Sequence, residues 1–292
     1  MPTLTDISTV RDILSRHGFS FSKALGQNFL INPSVCPRMA AACQPEPDGD
    51  FAVLEIGPGL GVLTKELAQV ATRVISIELD TRLLPILQET LAEYPNVTIV
   101  SGDVMKLDLA EVIRTHAGNL PLVVCANLPY YITSPILMHL LESRLPFHSI
   151  TVLVQKEAAQ RLCATPGTRE CGAISLAVSY FAKPEILFSV SRGSFMPAPN
   201  VDSSVIRLQL RKEPPCKLSD ETLFFRLIRA AFQQRRKTLS NSLCNAGYAK
   251  TLVRDILVKV GLSPSSRAEE LTLEQFADLT NEFYQVQKRT DS

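Results

Sequence analysis

The sequence predicts an α/β protein: a parallel, doubly wound sheet followed by a small C-terminal helical domain. Three observations carry this. Between residues 51 and 155, short β-branched runs alternate with amphipathic helical stretches. The run Glu213-Pro214-Pro215 ends the strand-bearing part, and beyond it the pattern is helical alone. The length, 292 residues with 46% apolar and 20% charged, suits one large domain and one smaller one. The expected division is 1–213, with an N-terminal cap over about 1–50, and 214–292.

The elements follow in order. A helical segment precedes the polar turn Pro45-Glu46-Pro47-Asp48-Gly49-Asp50. Residues 51–56 form a short apolar strand, 60–71 have helical periodicity, and 73–79 are strand-like. Residues 80–93 are amphipathic, with Asp80 as N-cap because its short carboxylate can accept from the first free amides. A strand at 97–100, a helix at 107–115 and a strand at 120–126 come next. Residues 134–142 predict a helix with Pro135 in its first turn, where a missing N–H costs nothing. A strand follows at 149–155, and 201–210 alternates less cleanly, as a late strand at the sheet edge. The second domain should hold helices over roughly 220–234, 236–245, 249–260 and 272–286, with Gly247 and Gly261 at C-terminal stops.

Composition excludes several classes. The apolar content offsets ordering entropy, so disorder is excluded for most of the chain. The strongest apolar stretches, 120–128 and 150–154, fall far short of the ~20 residues a bilayer needs. Asp6, Arg11, Asp12 and Arg16 at helical spacing argue against a signal peptide. The seven cysteines form no CxxC pair and the four histidines no metal-ligand spacing, so neither a disulfide frame nor a metal site is expected. Free, mostly buried thiols fit a reducing cytoplasm. Residues 1–214 carry 18 basic against 20 acidic side chains, and 215–292 carry 12 against 9, a mildly basic C-terminal module.

Between the first strand and first helix lies Leu54-Glu55-Ile56-Gly57-Pro58-Gly59-Leu60-Gly61. Glycines allow a sharp turn and close approach to a ligand. The spacing differs from the G-x-G-x-x-G pyrophosphate loop, since position 62 is Val. S-adenosylmethionine carries a cation and no phosphate, and a glycine loop beside carboxylates suits it. By itself the loop is equally well a plain tight turn. Glu78 ends the second strand, where a carboxylate can take both ribose hydroxyls, and Asp103 ends the third, where it can accept from an adenine amine. Gly57, Glu78 and Asp103 at three successive strand ends favour a ligand, with NAD as the competitor.

The fourth strand runs into Asn127-Leu128-Pro129-Tyr130-Tyr131. An Asn before an X-Pro bond is commonly only a turn. Here it falls at the strand end facing the cofactor. The Asn127 side-chain oxygen and the carbonyls of Leu128 and Pro129 can accept, and Tyr130 offers a ring for stacking. Such a set suits a planar amine such as adenine N6, whose conjugated lone pair is a poor nucleophile. Acceptors holding its hydrogens out of the ring plane would direct that lone pair at a sulfonium methyl, so placement and electrostatics drive transfer without a strong base.

These segments, in this order, resemble the KsgA/Dim-type rRNA adenine N6,N6-dimethyltransferases over about residues 23–279. The landmarks are Gly26-Gln27-Asn28-Phe29-Leu30, the glycine loop, Glu78-Leu79-Asp80, Gly102-Asp103 and Asn127–Tyr130. Further ones are Gln155-Lys156-Glu157, the Pro-rich run from Phe195 to Ser203, and Ala231-Phe232-Gln233-Gln234-Arg235-Arg236-Lys237-Thr238-Leu239. The resemblance implies a Rossmann-like methyltransferase sheet and S-adenosyl-L-methionine as methyl donor, without a metal. It implies transfer to two adjacent adenosines near the 3′ end of 16S rRNA during ribosome biogenesis. The expected partner is rRNA in an immature 30S particle, met by a monomeric, cytoplasmic chain with no membrane contact. Asn28 and the backbone of Leu30 would cover the cofactor, and Phe195 would be the second face of a base sandwich with Tyr130. Cys171 stands where relatives usually carry Tyr. Two alternatives are a large-subunit enzyme of the macrolide-resistance type and a non-catalytic relative of the mitochondrial transcription-factor type. The landmark set favours the small-subunit type, and the intact Asn127–Tyr130 loop argues against loss of catalysis.

Arg226, Arg229, Gln233, Arg236 and Lys237 share one helical face if that helix runs on. Such charges are usually just solvated. Arg235-Arg236-Lys237, with few acids nearby, favours phosphate contact instead. Arg226, Arg229, Arg235, Arg236 and Lys237 are therefore the expected RNA-binding residues.

Overall fold

The structure is a computed structural model and describes residues 3–22, 26–45, 49–234 and 236–290. The chain forms two compact units, Met1–Ala159 with Pro184–Leu210, and Gln160–Lys183 with Arg211–Ser292. In chain order the elements begin with α1 (Ile7–Arg16), β1 (Phe29–Leu30), α2 (Val35–Cys43), β2 (Ala52–Ile56), α3 (Val62–Val70) and β3 (Arg73–Glu78). Then come α4 (Leu84–Thr90), β4 (Val97–Ser101), α5 (Leu109–His116), β5 (Leu122–Asn127), α6 (Thr133–Glu142) and β6 (Phe147–Gln155). The chain passes through α7 (Lys156–Leu162) and α8 (Ala173–Phe181), and returns as β7 (Ala182–Val190), β8 (Phe195–Met196) and β9 (Ser203–Leu210). It finishes with α9 (Glu221–Phe232), α10 (Leu239–Asn245), α11 (Lys250–Lys259) and α12 (Leu273–Thr290).

The first unit is built on a seven-stranded sheet of order β4-β3-β2-β5-β6-β9-β7. Strands β4, β3, β2, β5 and β6 are mutually parallel, and β9 joins β6 antiparallel. Leu54 of β2 sits between Ile75 of β3 and Val124 of β5. Strands covered on both faces read as continuous apolar runs, and every residue of β2 is buried. Met39, Leu67, Val123 and Val205 belong to one apolar cluster. Val10, Ile13, Leu60, Ile86 and Leu87 belong to another, which seats α1. Arg16 of α1 makes paired bonds of 3.1 and 2.8 Å to Glu89, and His17 adds one of 2.7 Å. The Arg16 guanidinium holds the Glu89 carboxyl down at about 2.

The second unit packs around aromatic rings. Tyr180 lies 5.2 Å from Phe181, 5.3 Å from Phe224 and 5.4 Å from Phe225. Its hydroxyl donates to Glu221 at 2.8 Å, so its polar tip is satisfied. Cys171, in the position where the family resemblance implies Tyr in relatives, is buried, and that burial pushes its thiol pKa up.

Several expectations change. The late strand is not at the sheet edge: β9 lies inside it and β7 is the edge. Strand β7 escaped notice because Lys183, Pro184 and Glu185 make it read as polar loop, and proline is tolerated where one side of a strand is unpaired. Residues 160–183 group with the C-terminal unit, whereas a single boundary at 213/214 was expected. Helix α8 was missed because every residue from Ser175 to Phe181 is buried, leaving no amphipathic period. The stretch after Asp80 opens as a 3₁₀ turn, Thr81–Leu83, with Asp80 accepting from Arg82 N, before α4 begins. No helix of the described residues is long and apolar enough to cross a membrane.

Candidate active site

At the C-terminal end of β2 the chain turns through Gly57 and Gly59. Gly57 has φ +70° and its N–H donates to Ile77 O at 2.9 Å. A Cβ placed there would meet nothing within 4 Å. The positive φ explains why no other residue is favoured, and the open space faces the cavity described below. Gly59 has φ +61°, and a Cβ on it would lie 3.2 Å from the Phe29 ring. Phe29 comes from the N-terminal segment, so Gly59 admits that segment onto the loop.

Three carboxylates stand at or beside the strand ends, in different environments. Glu55, inside β2, is 1% exposed, and its Oε2 accepts from Thr64 at 2.7 Å and Ser76 at 2.6 Å. Burial outweighs these bonds and pushes its carboxyl up to about 7. Glu78, the last residue of β3, is also buried. Its Oε1 accepts from Asp80 N at 2.8 Å and its Oε2 from Gly59 N at 3.4 Å. Burial raises its pKa. Each oxygen keeps a lone pair for a ligand. Asp103 is half-buried; its Oδ1 accepts from Met105 N at 3.0 Å and its Oδ2 lies 3.7 Å from Lys106 Nζ.

The N-terminal segment reaches these strand ends by pairing with the Pro-rich loop. Strands β1 and β8 are antiparallel, with Phe29 opposite Met196 and Leu30 opposite Phe195. Asn28 Nδ2 donates to Gly26 O at 3.1 Å, and Gln27 Nε2 donates to Asp80 at 2.8 Å. The Arg82 guanidinium holds Asp80 below the usual carboxylate range. Gln27 stood in a landmark, yet no role was assigned to it; its partner is 53 residues away and no local signal marks it.

In the loop after β5, Asn127 closes the strand, and its Nδ2 donates to the Asn28 carbonyl at 3.5 Å, while its Oδ1 accepts no hydrogen bond among the described residues. Leu128 is buried, its N–H bonded to Leu153 O at 3.3 Å. Its carbonyl accepts no hydrogen bond among the described residues. The Pro129 carbonyl differs from expectation. It already accepts from Ile132 N at 3.2 Å and Thr133 Oγ1 at 3.1 Å, because it closes the turn into α6. Among the described residues, the acceptors left unpartnered here are therefore Asn127 Oδ1 and Leu128 O. Tyr130 is half-buried and shares a 2.6 Å hydrogen bond with Ser203 Oγ. Phe195 is 3% exposed and belongs to the apolar cluster against which Tyr130 packs. It is not on the cavity wall.

One cavity of about 130 Å³ gathers Asn28, Leu30, Gly57, Gly59, Glu78, Asp103 and the Asn127–Tyr130 loop. Its lining holds no Lys, Arg or His among the described residues. With Glu55 and Glu78 on the wall and no side-chain cation among the described lining residues, it suits a cationic ligand.

In the second unit, Arg226 and Arg229 are exposed on α9, which ends at Phe232. Arg236 and Lys237 are exposed beyond it, in a turn where Lys237 N donates to Gln234 O at 3.0 Å. The single helical face is thus corrected to two short basic groups. Arg235 lies outside the described residues. None of the other four makes an ion pair with a described residue.

The family model for ribosomal RNA adenine dimethylase matches residues 18–285. Proteins named ribosomal RNA small subunit methyltransferase A from Bacillus mycoides (strain KBAB4) and Bacillus cereus (strain B4264) are each 47% identical over 286 residues, covering 95% of this chain and 97% of theirs. A dimethyladenosine transferase from Plasmodium falciparum matches with TM-score 0.72 and 26% identity, over 88% of this chain and 98% of that one. The 23S rRNA methyltransferase ErmE matches with TM-score 0.66 and 28% identity, over 87% and 99%. With a family match across most of its length and relatives near half identical, the chain belongs to the ribosomal RNA adenine dimethylase family.

Proposed function

We propose that this protein transfers methyl groups from S-adenosyl-L-methionine to N6 of two adjacent adenosines near the 3′ end of 16S rRNA, within an immature 30S particle. The observation that carries this reading is the meeting of two acceptors unpartnered among the described residues, Asn127 Oδ1 and Leu128 O, with the acid-bearing, cation-free strand ends in one cavity. The relatives named for the small subunit support that substrate over large-subunit RNA.

When bound, S-adenosylmethionine supplies an electrophilic methyl on a sulfonium. Glu78 would hold the ribose hydroxyls and Asp103 the adenine amine of that donor, with Asn28 and the Leu30 backbone covering it. In the first transfer Asn127 Oδ1 and Leu128 O would each accept from one of the two N6 hydrogens of the target base and turn the lone pair out of the ring plane; in the second, N6 keeps one hydrogen, which one of the two accepts. The N6–C bond then forms as the C–S bond breaks, its electrons returning to sulfur. The developing positive charge on N6 strengthens these acceptor contacts, so they act more on the transition state than on the ground state. The proton leaves from N6 to water. Tyr130 stacks on the base. Phe195, in the apolar cluster against which Tyr130 packs, is assigned the second face on the family likeness. Arg226, Arg229, Arg235, Arg236 and Lys237 contact phosphates, and the chain works as a cytoplasmic monomer.

The test is methyl transfer from labelled donor to small subunits from cells lacking the modification, with naked 23S rRNA in parallel. Nucleoside mass spectrometry should find N6,N6-dimethyladenosine in the small-subunit RNA alone. Label confined to 23S rRNA would overturn the reading in favour of the large-subunit type.

A further inference from the structure

Three aromatic side chains line the cavity, and they differ in exposure. Phe29 is buried, Tyr130 half-buried, and Tyr131 58% exposed. Tyr131 is also the chemical odd one out. Tyr130 is fixed through its hydroxyl to Ser203. The Tyr131 hydroxyl has no hydrogen bond and its ring no aromatic partner among the described residues. What positions it is Gly26: a Cβ there would lie 3.1 Å from Tyr131 Cδ1 and 3.4 Å from Cε1. One edge of the ring therefore packs closely on Gly26, whose φ of +60° favours glycine, and the ring remains largely in solvent at the cavity rim.

Resting on the function proposed above, we propose that Tyr131 stacks on the nucleobase flanking the target adenosine. To enter the cavity, the target base must leave the RNA stack, and its neighbour then loses a stacking surface. That neighbour is joined to the target by one phosphodiester and must lie at the rim. A solvent-exposed aromatic ring held there replaces the lost face. The contact reads no sequence, because every base has a π-face. Tyr131 is thus a substrate-positioning residue: it holds the RNA open, while Asn127 and Leu128 address N6.

The test pairs protein and RNA changes. Tyr131→Ala, Tyr131→Phe and wild type are assayed on small-subunit particles reconstituted with intact RNA, or with an abasic residue at each nucleotide flanking a target adenosine in turn. On intact RNA, Tyr131→Ala should raise KM for the particle about tenfold, a typical loss for one base–aromatic stack, with kcat little changed. Tyr131→Phe should restore it, since the ring and not the hydroxyl acts. At one flanking position the abasic RNA should raise the wild-type KM by a similar factor and leave Tyr131→Ala no worse. Equal additional loss in wild type and Tyr131→Ala at every position would overturn the proposal, as would failure of Tyr131→Phe to rescue. Absence of wild-type methylation on intact particles would instead overturn the function on which the proposal rests.

Discussion

The hydroxyls of Tyr130 and Ser203 share a hydrogen bond of 2.6 Å, joining the loop after β5 to the first residue of β9 across 73 positions of sequence. Ser203 is fully buried, and burial raises the Tyr130 phenol pKa, so the pair is neutral and satisfied at physiological pH. The bond fixes the plane of the ring proposed to stack on the target base.

Removing either partner should orphan the other. Ser203→Ala and Tyr130→Phe should each cost about 1–3 kcal/mol of stability, the cost of a buried polar group left unpaired. The double variant should cost less than the sum, since no hydroxyl is then stranded. Urea unfolding of the four proteins measures the coupling. Additive losses would mean that the bond contributes nothing to stability.

Glu55 gives stability a pH dependence of known sign. Its carboxyl titrates at about 7 in the folded chain, against an ordinary value of 4.5. The folded state therefore holds the proton more tightly than the unfolded one. Its stabilising contribution is complete below pH ~4.5 and is lost as pH rises through about 7. The amount is about 3 kcal/mol, at 1.36 kcal/mol per pH unit. Glu55→Gln keeps an acceptor for Thr64 and Ser76 without the charge, so it should flatten this component between pH 5 and 8. Urea midpoints across that range are the measurement, and identical slopes in the two proteins would refute it.

Glu78→Ala should weaken the protein in two ways. It removes the proposed ribose acceptor, a loss of about 1.5–3 kcal/mol in donor binding. It also strands the N–H groups of Asp80 and Gly59, which lowers folding stability by a similar order. Calorimetric titration with S-adenosylmethionine and thermal unfolding separate the two. An unchanged dissociation constant would remove Glu78 from the donor site, whatever happens to the melting temperature.

Much of the site was legible in sequence because a doubly wound sheet has a fixed geometry. Once strands ending at Ile56, Glu78 and Ser101 are recognised, Gly57, Glu78 and Asp103 must share one side of the sheet. Asn127 followed for the same reason. What was hidden depends on pairs far apart in the chain. Strands β1 and β8 have two residues each, too few for a period, so the meeting of Leu30 with Phe195 leaves no local trace. The family likeness could assign Asn28 a covering role, but not its bond to Asn127. Burial of Glu78 likewise depends on a distant partner, since its carboxylate accepts from Gly59 N in the loop after β2. The Pro129 carbonyl was misjudged because the turn that consumes it ends in Thr133, where α6 begins one residue before the helix start expected at 134.

Asn127→Ala should act on turnover. It removes the acceptor proposed to hold N6 as charge develops there, so the single-turnover rate should fall about a hundredfold, the scale of losing one preorganised group at a developing charge. Donor binding should change less, through the lost bond to the Asn28 carbonyl. Wild-type yields of dimethyladenosine from this variant would place the chemistry in another loop.

The basic residues of the C-terminal unit allow a sharper test than a loss of binding. Arg229 is in the last turn of α9, where a cation also complements the helix dipole. Replacement could therefore act through helix stability alone. Phosphate contact has a different signature, because each neutralised phosphate releases counterions. Replacing Arg226, Arg229, Arg236 and Lys237 by Ala should reduce the slope of log K against log salt for small-subunit binding by about 3, at 0.7–0.9 per contact. Since α9 ends before Arg236, the pair on the helix and the pair in the turn should each carry about half of that change. Donor affinity should be unaffected. A helix-stabilising role would instead lower the melting temperature and leave the salt slope at its wild-type value, and that outcome would exclude these side chains from the RNA surface.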